Sequence, residues 1–321
     1  MPNIVTHCWY GDVAITKSNT DRLRKIINKY HGVFLLGCQG PDPFYFYHRL
    51  PWQSQKNIHE VRDYGNIIHR THISDTFRIF MEYTKETQNG EDIAFVAGFL
   101  NHWAVDHICH PYIFYETDSL TEKTGNAHQV FETMIDKGIL DINGLKRSDY
   151  RTYKLLKHPD DAFDRVYEIY RRVFKELDNM DIEKEHVINS YSTFYNMQRI
   201  FYDPNGRKYK WVGLLENMVK AKGLATGMMI PNEYDSVTDP MNYRHEEWVH
   251  PCDNTIRSTE SFEELAGKAA GIGIILMEKY ERYLAGEKDI KEILDIIDDK
   301  TYDTGMKNHP EMKYFKRDIV K

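Results

Sequence analysis

Cysteine is sparse in this chain: Cys8, Cys38, Cys109 and Cys252 are the four in 321 residues, and no two form a C-x-x-C pair. Such spacing builds neither a disulfide framework nor a zinc ribbon, and a reducing compartment is expected. Glycine and proline are few, at 19 and 11, while 41% of residues are hydrophobic and 13% aromatic, which excludes collagenous, low-complexity and disordered classes. Positive charge is short, with 42 Lys and Arg against 49 Asp and Glu, a formal net charge of -7. Such a chain has no general field for wrapping nucleic acid or anionic lipid, so phosphate chemistry would need a local positive centre. Long apolar runs are missing too. The longest, Ile93 to Val105, is cut by Asn101 and His102 and stops at Asp106, too short and too polar to span a bilayer. The opening MPNIVTHCWYGDV lacks both the basic start and the apolar run of a signal peptide. A soluble, cytoplasmic protein with no transmembrane segment is expected.

What is present is helical patterning. Apolar residues recur mostly at steps of three and four, without convincing period-two strands or N-G hairpin turns, so an all-α fold is expected. A helix is predicted from Thr20 or Asp21, either of which can cap it, with Leu23, Ile26, Ile27 and Tyr30 on one face and His31-Gly32 as its close. After the turn Gly40-Pro41-Asp42-Pro43, a long helix is predicted from about Ile58 to Thr87, stopped by Asn89-Gly90. Another runs from about Glu91 to Ile108, with Pro111 set to end or bend it. Asn126 can cap a helix carrying His128 to Ile139, and His158-Pro159-Asp160 opens the next. Amphipathic stretches cover roughly 184 to 203 and 207 to 222. A loop-like segment from about Pro231 to Thr259 leads to Ser261, which with Glu264 forms a capping-box pattern ahead of a helix to about Leu284. A short helix and a charged tail follow. With no repeat or flexible linker visible, a single helical domain is expected over residues 1–321, with a C-terminal helical extension over about 260–321.

Histidine is concentrated: ten of the fifteen lie within residues 1–128. In GFLNHWAVDHICHPYIFY, His102, Asp106 and His110 stand four residues apart, and at about 100° per residue they drift only about 80° around a helix. All three can face one point. His128 and Glu132 repeat the four-residue step in AHQVFE, so two facing helices could enclose a metal. The plainer alternative is that buried histidines and acids hydrogen-bond one another. Against it, a buried Asp must be paired or coordinate a cation, and between Arg78 and Lys137 the only cationic side chains are Lys85 and Lys123. Imidazole mixed with carboxylate suits zinc better than calcium or magnesium, with manganese or iron able to use similar donors.

These residues resemble a known family, the zinc-dependent phospholipases C, which are related in fold to zinc nucleases that cut single strands. THCWYGDVA, LLGCQGPDPFYFY, YGNIIH, GFLNHWAVDHICHPYIFY and AHQVFE occur in the expected order across about residues 1 to 135. The later YRHEEWVHP, followed by a helix, is similar to the C-terminal region of a bacterial, cytoplasmic-type branch. The resemblance implies a multi-helix bundle with a metal cluster between helices, the metal-binding half lying within about residues 1–140. Carried over by position, it implies Asp42, His69, His102 and Asp106 as ligands of one zinc, with Asp106 bridging to a neighbour. It implies His110, His128 and Glu132 around a second, and His7, Asp106 and the chain's amino terminus around a third. Secreted members supply that last ligand as a tryptophan amine exposed by processing, whereas this chain begins Met1-Pro2. The step from Asp106 to His110 is also shorter than in the secreted lipases.

Other residues carry plainer readings. His72, one turn from His69, could substitute for it, and His59 shares the same stretch. His107 points about 100° away from Asp106, towards the surface or a supporting role. Cys8 and Cys109 read as buried thiols, and Phe44, Tyr45, Phe46 and Tyr47 as core, with an aromatic wall for a substrate head group as the alternative. His245, Glu246, Glu247 and His250 read as a solvated polar segment, with a metal cluster as the alternative. The expected activity is phosphoester hydrolysis, phospholipase C-like, by zinc-activated water, with Asp42 and Asp106 as catalytic residues and two or three zinc ions as cofactor. The expected substrate is a phosphoester or phospholipid. Pro43 stands where the secreted lipases carry their choline-binding pattern, and no lipid-docking surface is visible in the sequence. A zinc nuclease, needing stacking aromatics and a basic rim, is the less favoured enzyme; a non-catalytic metal-stabilised scaffold or sensor is the alternative from another class.

Overall fold

The computed structural model describes residues 4–50, 52–117, 127–148, 150–156, 159–220 and 223–316. The chain begins with α1 (Ile4–Lys17), α2 (Arg22–Lys29) and α3 (His31–Gly37), then a 3-10 turn at Asp42–Phe46. It continues through α4 (Ile58–Arg70), α5 (Ile73–Thr87), α6 (Gly90–Thr117), α7 (Ala127–Ile142), α8 (Thr152–Leu155), α9 (Pro159–Asp178), α10 (Lys184–Phe201) and α11 (Arg207–Val219). A second 3-10 turn at Thr226–Met228 and a two-stranded antiparallel hairpin, β1 (Trp248–His250) and β2 (Asp253–Ser258), lead to α12 (Phe262–Leu284) and α13 (Lys291–Ile297). The hairpin pairs Trp248 with Ser258 and Val249 with Arg257, with an irregular register at His250. The fold is mostly helical, as the patterning requires. Among the described residues no helix is long and apolar enough to cross a membrane.

The organising element is α6, buried along nearly its whole length, with α12 and α3 packed along it and α1 packed on α12. Close approach of α3 depends on two glycines. A Cβ on Gly37 would lie 2.1 Å from the carbonyl oxygen of Phe95, and one on Gly98 would lie 2.1 Å from that of Phe34. With no side chains there, the end of α3 comes near enough for the carbonyl of Cys38 to reach an imidazole on α6. Below this contact Phe44, Phe80, Phe95 and Phe99 pack edge-on around Tyr170.

Several boundaries differ from the expectation, each for a tertiary reason. Helix α1 lies where no helix is predicted, because its cap is remote: Asp136 of α7 accepts from the Val5 N–H at 3.2 Å, the Thr6 N–H at 2.9 Å and the Thr6 hydroxyl at 2.7 Å. Helix α2 is similarly received by Glu281 of α12, which accepts from the backbone N–H groups of Asp21 and Leu23, while neither Thr20 nor Asp21 caps it by a side chain. His31-Gly32 closes α2 only to open α3 at once. The helix predicted over Ile58 to Thr87 breaks after Arg70, where Thr71 is extended and His72 takes a left-handed φ of 52°. There the freed carbonyl of His69 accepts instead from the backbone N–H of Tyr302 at 3.2 Å. Pro111 does not end α6, which continues to Thr117. The segment expected as loop from Pro231 to Thr259 contains the hairpin. Ser261 and Glu264 do form the capping box that starts α12. Asn126 lies outside the described residues.

After α13 the chain crosses back over α4 and α6 as an irregular strap, residues 298–316. The Lys300 carbonyl accepts from the Trp103 indole at 2.9 Å, Asp303 accepts from Arg70 at 2.8 Å, and the Thr304 carbonyl accepts from His250 at 2.9 Å. Gly305, at φ 63°, lies against the carbonyl of His107, where an added Cβ would sit 2.3 Å from the oxygen. That carbonyl is the one Pro111, lacking an N–H, leaves without its usual helical donor.

Candidate metal centre

Five elements and the strap deliver side chains to one buried place. Donor atoms of Asp42 (from the 3-10 turn), His69 (α4), His102 and Asp106 (α6) all lie within 4.8 Å of one another. So do those of His110 (α6), His128 and Glu132 (α7). The four-residue steps along α6 and α7 do what helical geometry requires and stack their side chains on one face. In the first group His69 Nε2 lies 3.2 Å from Asp42 Oδ1, and His102 Nε2 lies 3.1 Å from Asp106 Oδ2 and 3.7 Å from Asp42 Oδ1. In the second, Glu132 Oε1 lies 2.9 Å from His128 Nε2 and 3.8 Å from His110 Nε2. Asp106 sits between the groups: Oδ2 also lies 3.8 Å from His110 Nδ1, while Oδ1 is 3.3 Å from His7 Nε2. The His7 and His102 rings pack at 4.4 Å.

The outer nitrogens of the imidazoles are anchored. Nδ1 of His69 donates to the Gly65 carbonyl at 2.8 Å, that of His102 to the Cys38 carbonyl at 3.1 Å, and that of His110 to the Tyr302 carbonyl at 3.0 Å. A carbonyl can only accept, so each ring carries a proton on Nδ1 and, when neutral, presents the Nε2 lone pair inward. His128 Nδ1 meets the Thr117 hydroxyl at 3.2 Å, whose own proton is committed to the Ile113 carbonyl at 2.7 Å. This outer-nitrogen anchoring is what metal-ligating histidines ordinarily show. Tyr302, Cys38, Gly65 and Thr117 were not legible as participants, since three act through backbone carbonyls that any residue type could supply.

The inner atoms are left over. His69 Nε2, His102 Nε2, His110 Nε2, Asp42 Oδ1 and both Asp106 oxygens are buried without a hydrogen-bond partner. Burying such groups unsatisfied is costly. Zinc bonds of about 2.0–2.1 Å hold tetrahedral neighbours about 3.3 Å apart, close to the separations found in the first group. Nitrogen and oxygen donors in these proportions fit zinc. The first group offers four protein donors and the second three.

Charge is arranged to match. Burial alone would raise Asp106, but His102, His110 and His7 hold it well below the usual carboxylate range. Burial lowers His110 to about 4 and takes His128 well below its ordinary value. His7 is lowered by burial and by His102. For His102 burial acts downward, yet Asp106 and Asp42 carry it above its ordinary value.

Of the other residues singled out in the sequence, none joins either group. His59 and His72 are exposed, and His72 lies 3.9 Å from Asp178. His107 is buried rather than at the surface: its ring stacks on Trp103 at 3.8 Å and its Nδ1 donates to the Trp103 carbonyl at 2.7 Å. Cys8 and Cys109 are buried free thiols pushed up by burial. Phe44, Phe46 and Tyr47 are core residues, while Tyr45 accepts from His69 Nδ1 at 3.2 Å and donates to Asn66. His245 donates to the Thr259 carbonyl, Glu246 and Glu247 pair with Arg244 and Arg257, and His250 is held between Thr304 and Cys252, so those four do not converge. Met1, whose amine the third expected site requires, lies outside the described residues.

A family profile described as zinc dependent phospholipase C matches residues 6–180, more than half of the chain and all eight side chains from His7 to Glu132. The match stops well before Tyr302. No curated protein and no solved structure matches the chain.

Proposed function

Since the chain belongs to the zinc-dependent phospholipase C family, we propose that it is a phosphoester hydrolase acting on phosphodiesters, with phospholipid as the favoured substrate class. Asp42, His69, His102 and Asp106 would hold one zinc, and His110, His128 and Glu132 a second. His7 and the free side of Asp106 would contribute to a third if the amino terminus completes it. Bound zinc supplies Lewis acidity, making water nucleophilic near neutral pH and offsetting charge that builds on phosphoryl oxygens. The observation that carries this reading is the cluster of inward-facing, hydrogen-bond-free donors whose outer nitrogens are already anchored.

Each chain residue then has a defined task. The backbone carbonyls of Gly65, Cys38 and Tyr302 fix the ring orientation of His69, His102 and His110. Asp106 would serve the first group through Oδ2 beside His102, turns Oδ1 towards His7, and keeps its charge at neutral pH. Asp42, with Oδ1 turned inward between His69 and His102, is assigned to orient the attacking water and accept its proton as the bond to the leaving oxygen breaks. The hydrolase reading is favoured over a closed structural site because the second group brings three protein donors, one fewer than a closed structural zinc site uses.

Elemental analysis of protein prepared with zinc and without chelator should find at least two equivalents per chain. Asp106→Asn should lose zinc and abolish hydrolysis of bis-nitrophenyl phosphate and phosphatidylcholine micelles. Absence of zinc from the wild type would end the proposal, and so would full turnover by a folded Asp106→Asn.

A further inference from the structure

Helix α11 is amphipathic the wrong way round for a helix of a water-facing surface. Trp211, Leu214, Leu215, Met218 and Val219 recur at helical spacing and form one stripe, and each is 58–80% exposed. Leu224, just beyond the helix end, is also exposed. The inward face carries instead a buried carboxylate: Glu216 accepts from the backbone N–H groups of Gly223, Ala225 and Thr226 and from the Thr226 hydroxyl. Glu216, with half-buried Tyr209, Val212 and Gly213 on the same side, holds the helix to the body, and the apolar stripe takes no part. Exposed Arg207 stands one turn ahead of Trp211, exposed Lys210 flanks the stripe, and exposed Lys220 caps the helix end, a basic margin within a chain of net charge -7. Large apolar residues facing water with cations at their edge are the composition of a helix that lies in a lipid interface.

Its position connects it to the metal groups. Glu216 grips the 3-10 turn Thr226–Met228, and Gly227 of that turn lies against Val130 of α7, where an added Cβ would meet Val130 Cγ2 at 3.0 Å. Val130 stands between His128 and Glu132 on the same helix. Among the seven grouped donors, His128 has the most accessible side chain, at 23%, so α11 is mounted on the helix whose ligand is nearest to solvent.

We propose that α11 is a membrane-docking element: its apolar stripe enters the headgroup boundary of a phospholipid bilayer, its basic margin favours anionic lipid, and it brings the His128 edge of the metal groups to the lipid surface. This rests on the reading that the substrate is a phospholipid. Zinc-loaded full-length protein should float with vesicles of phosphatidylcholine mixed equally with phosphatidylglycerol, and less with phosphatidylcholine alone. Leu215→Asp combined with Met218→Asp should lower vesicle partitioning and turnover of vesicle phosphatidylcholine about tenfold or more, while leaving bis-nitrophenyl phosphate turnover and the circular dichroism spectrum unchanged. Arg207→Glu combined with Lys210→Glu should remove the preference for anionic vesicles. Wild-type protein that stays out of every vesicle fraction overturns the proposal even if it cleaves bis-nitrophenyl phosphate. Flotation without cleavage of any phosphoester supports the docking element and instead removes the hydrolase reading. A solution dimer that the double aspartate variant dissociates, with no vesicle binding, assigns the face to a second copy and overturns the proposal.

Discussion

At the scale of single residues, protonation decides how the centre takes up metal. His110, lowered to about 4 by burial, and His128, also lowered by burial, are already neutral at pH 7, and Asp106 is already ionised. His102 differs, because Asp106 and Asp42 raise it above 6.5 despite its burial. Metal must displace that proton. The sign follows: affinity should rise with pH through the window just above the ordinary histidine value, then level off once His102 is neutral. Zinc titrations of the metal-free protein in buffers of different ionisation enthalpy should show net proton release just above the ordinary histidine range, fading as pH rises further. Heats independent of the buffer would contradict this assignment of protonation states. Of the candidate donors, His102, Asp106, His110, His128 and Glu132 were legible from their four-residue steps, whereas Asp42, His69 and His7 were reached only through the family resemblance. Their anchors were not legible, since a carbonyl acceptor carries no residue signature.

At the scale of elements, local signals were reliable where the cause was local. The capping box at Ser261 and Glu264 and the periodicity of α7 and α10 gave recognisable helices. Helix α1 was missed because its cap is Asp136, distant in the chain, and the break at His72 because the carbonyl freed there is satisfied by Tyr302. At Pro111 the helix continues to Thr117, and the strap packs against the carbonyl the proline leaves open. Gly305 is the contact point, at φ 63° and with no room for a Cβ against His107. Gly305→Ala should therefore destabilise by about 1–3 kcal/mol, measured by denaturant unfolding. It should also lower zinc occupancy, because displacement of the strap takes the Tyr302 carbonyl away from His110. Stability and zinc content both equal to wild type would show that the strap tolerates displacement.

At the scale of the whole molecule, the candidate donors come from α1, the first 3-10 turn, α4, α6 and α7, so no short fragment presents them together. Ion binding is then coupled to the folded state. Zinc at about a thousand times its dissociation constant should add about 4 kcal/mol, equivalent to roughly 6 °C in melting temperature for a chain of this size. Scanning calorimetry should show the transition falling on chelation and returning with zinc. Because α12 packs along α6, a single transition is expected. A melting temperature indifferent to chelator would mean that the donors do not bind an ion as the chain folds. Composition concealed α11 at this scale, since its exposed stripe is indistinguishable in sequence from one that faces a core.

The strap also makes the far end of the chain matter to its first half. His110 owes its tautomer to a carbonyl 192 positions downstream, well outside the segment the family profile recognises. A premature stop codon or a protease nick just ahead of Tyr302 would spare every candidate donor and still unanchor one of them. Heritable damage at the carboxyl end would then surface as poor zinc retention in a protein whose recognisable motifs are all intact.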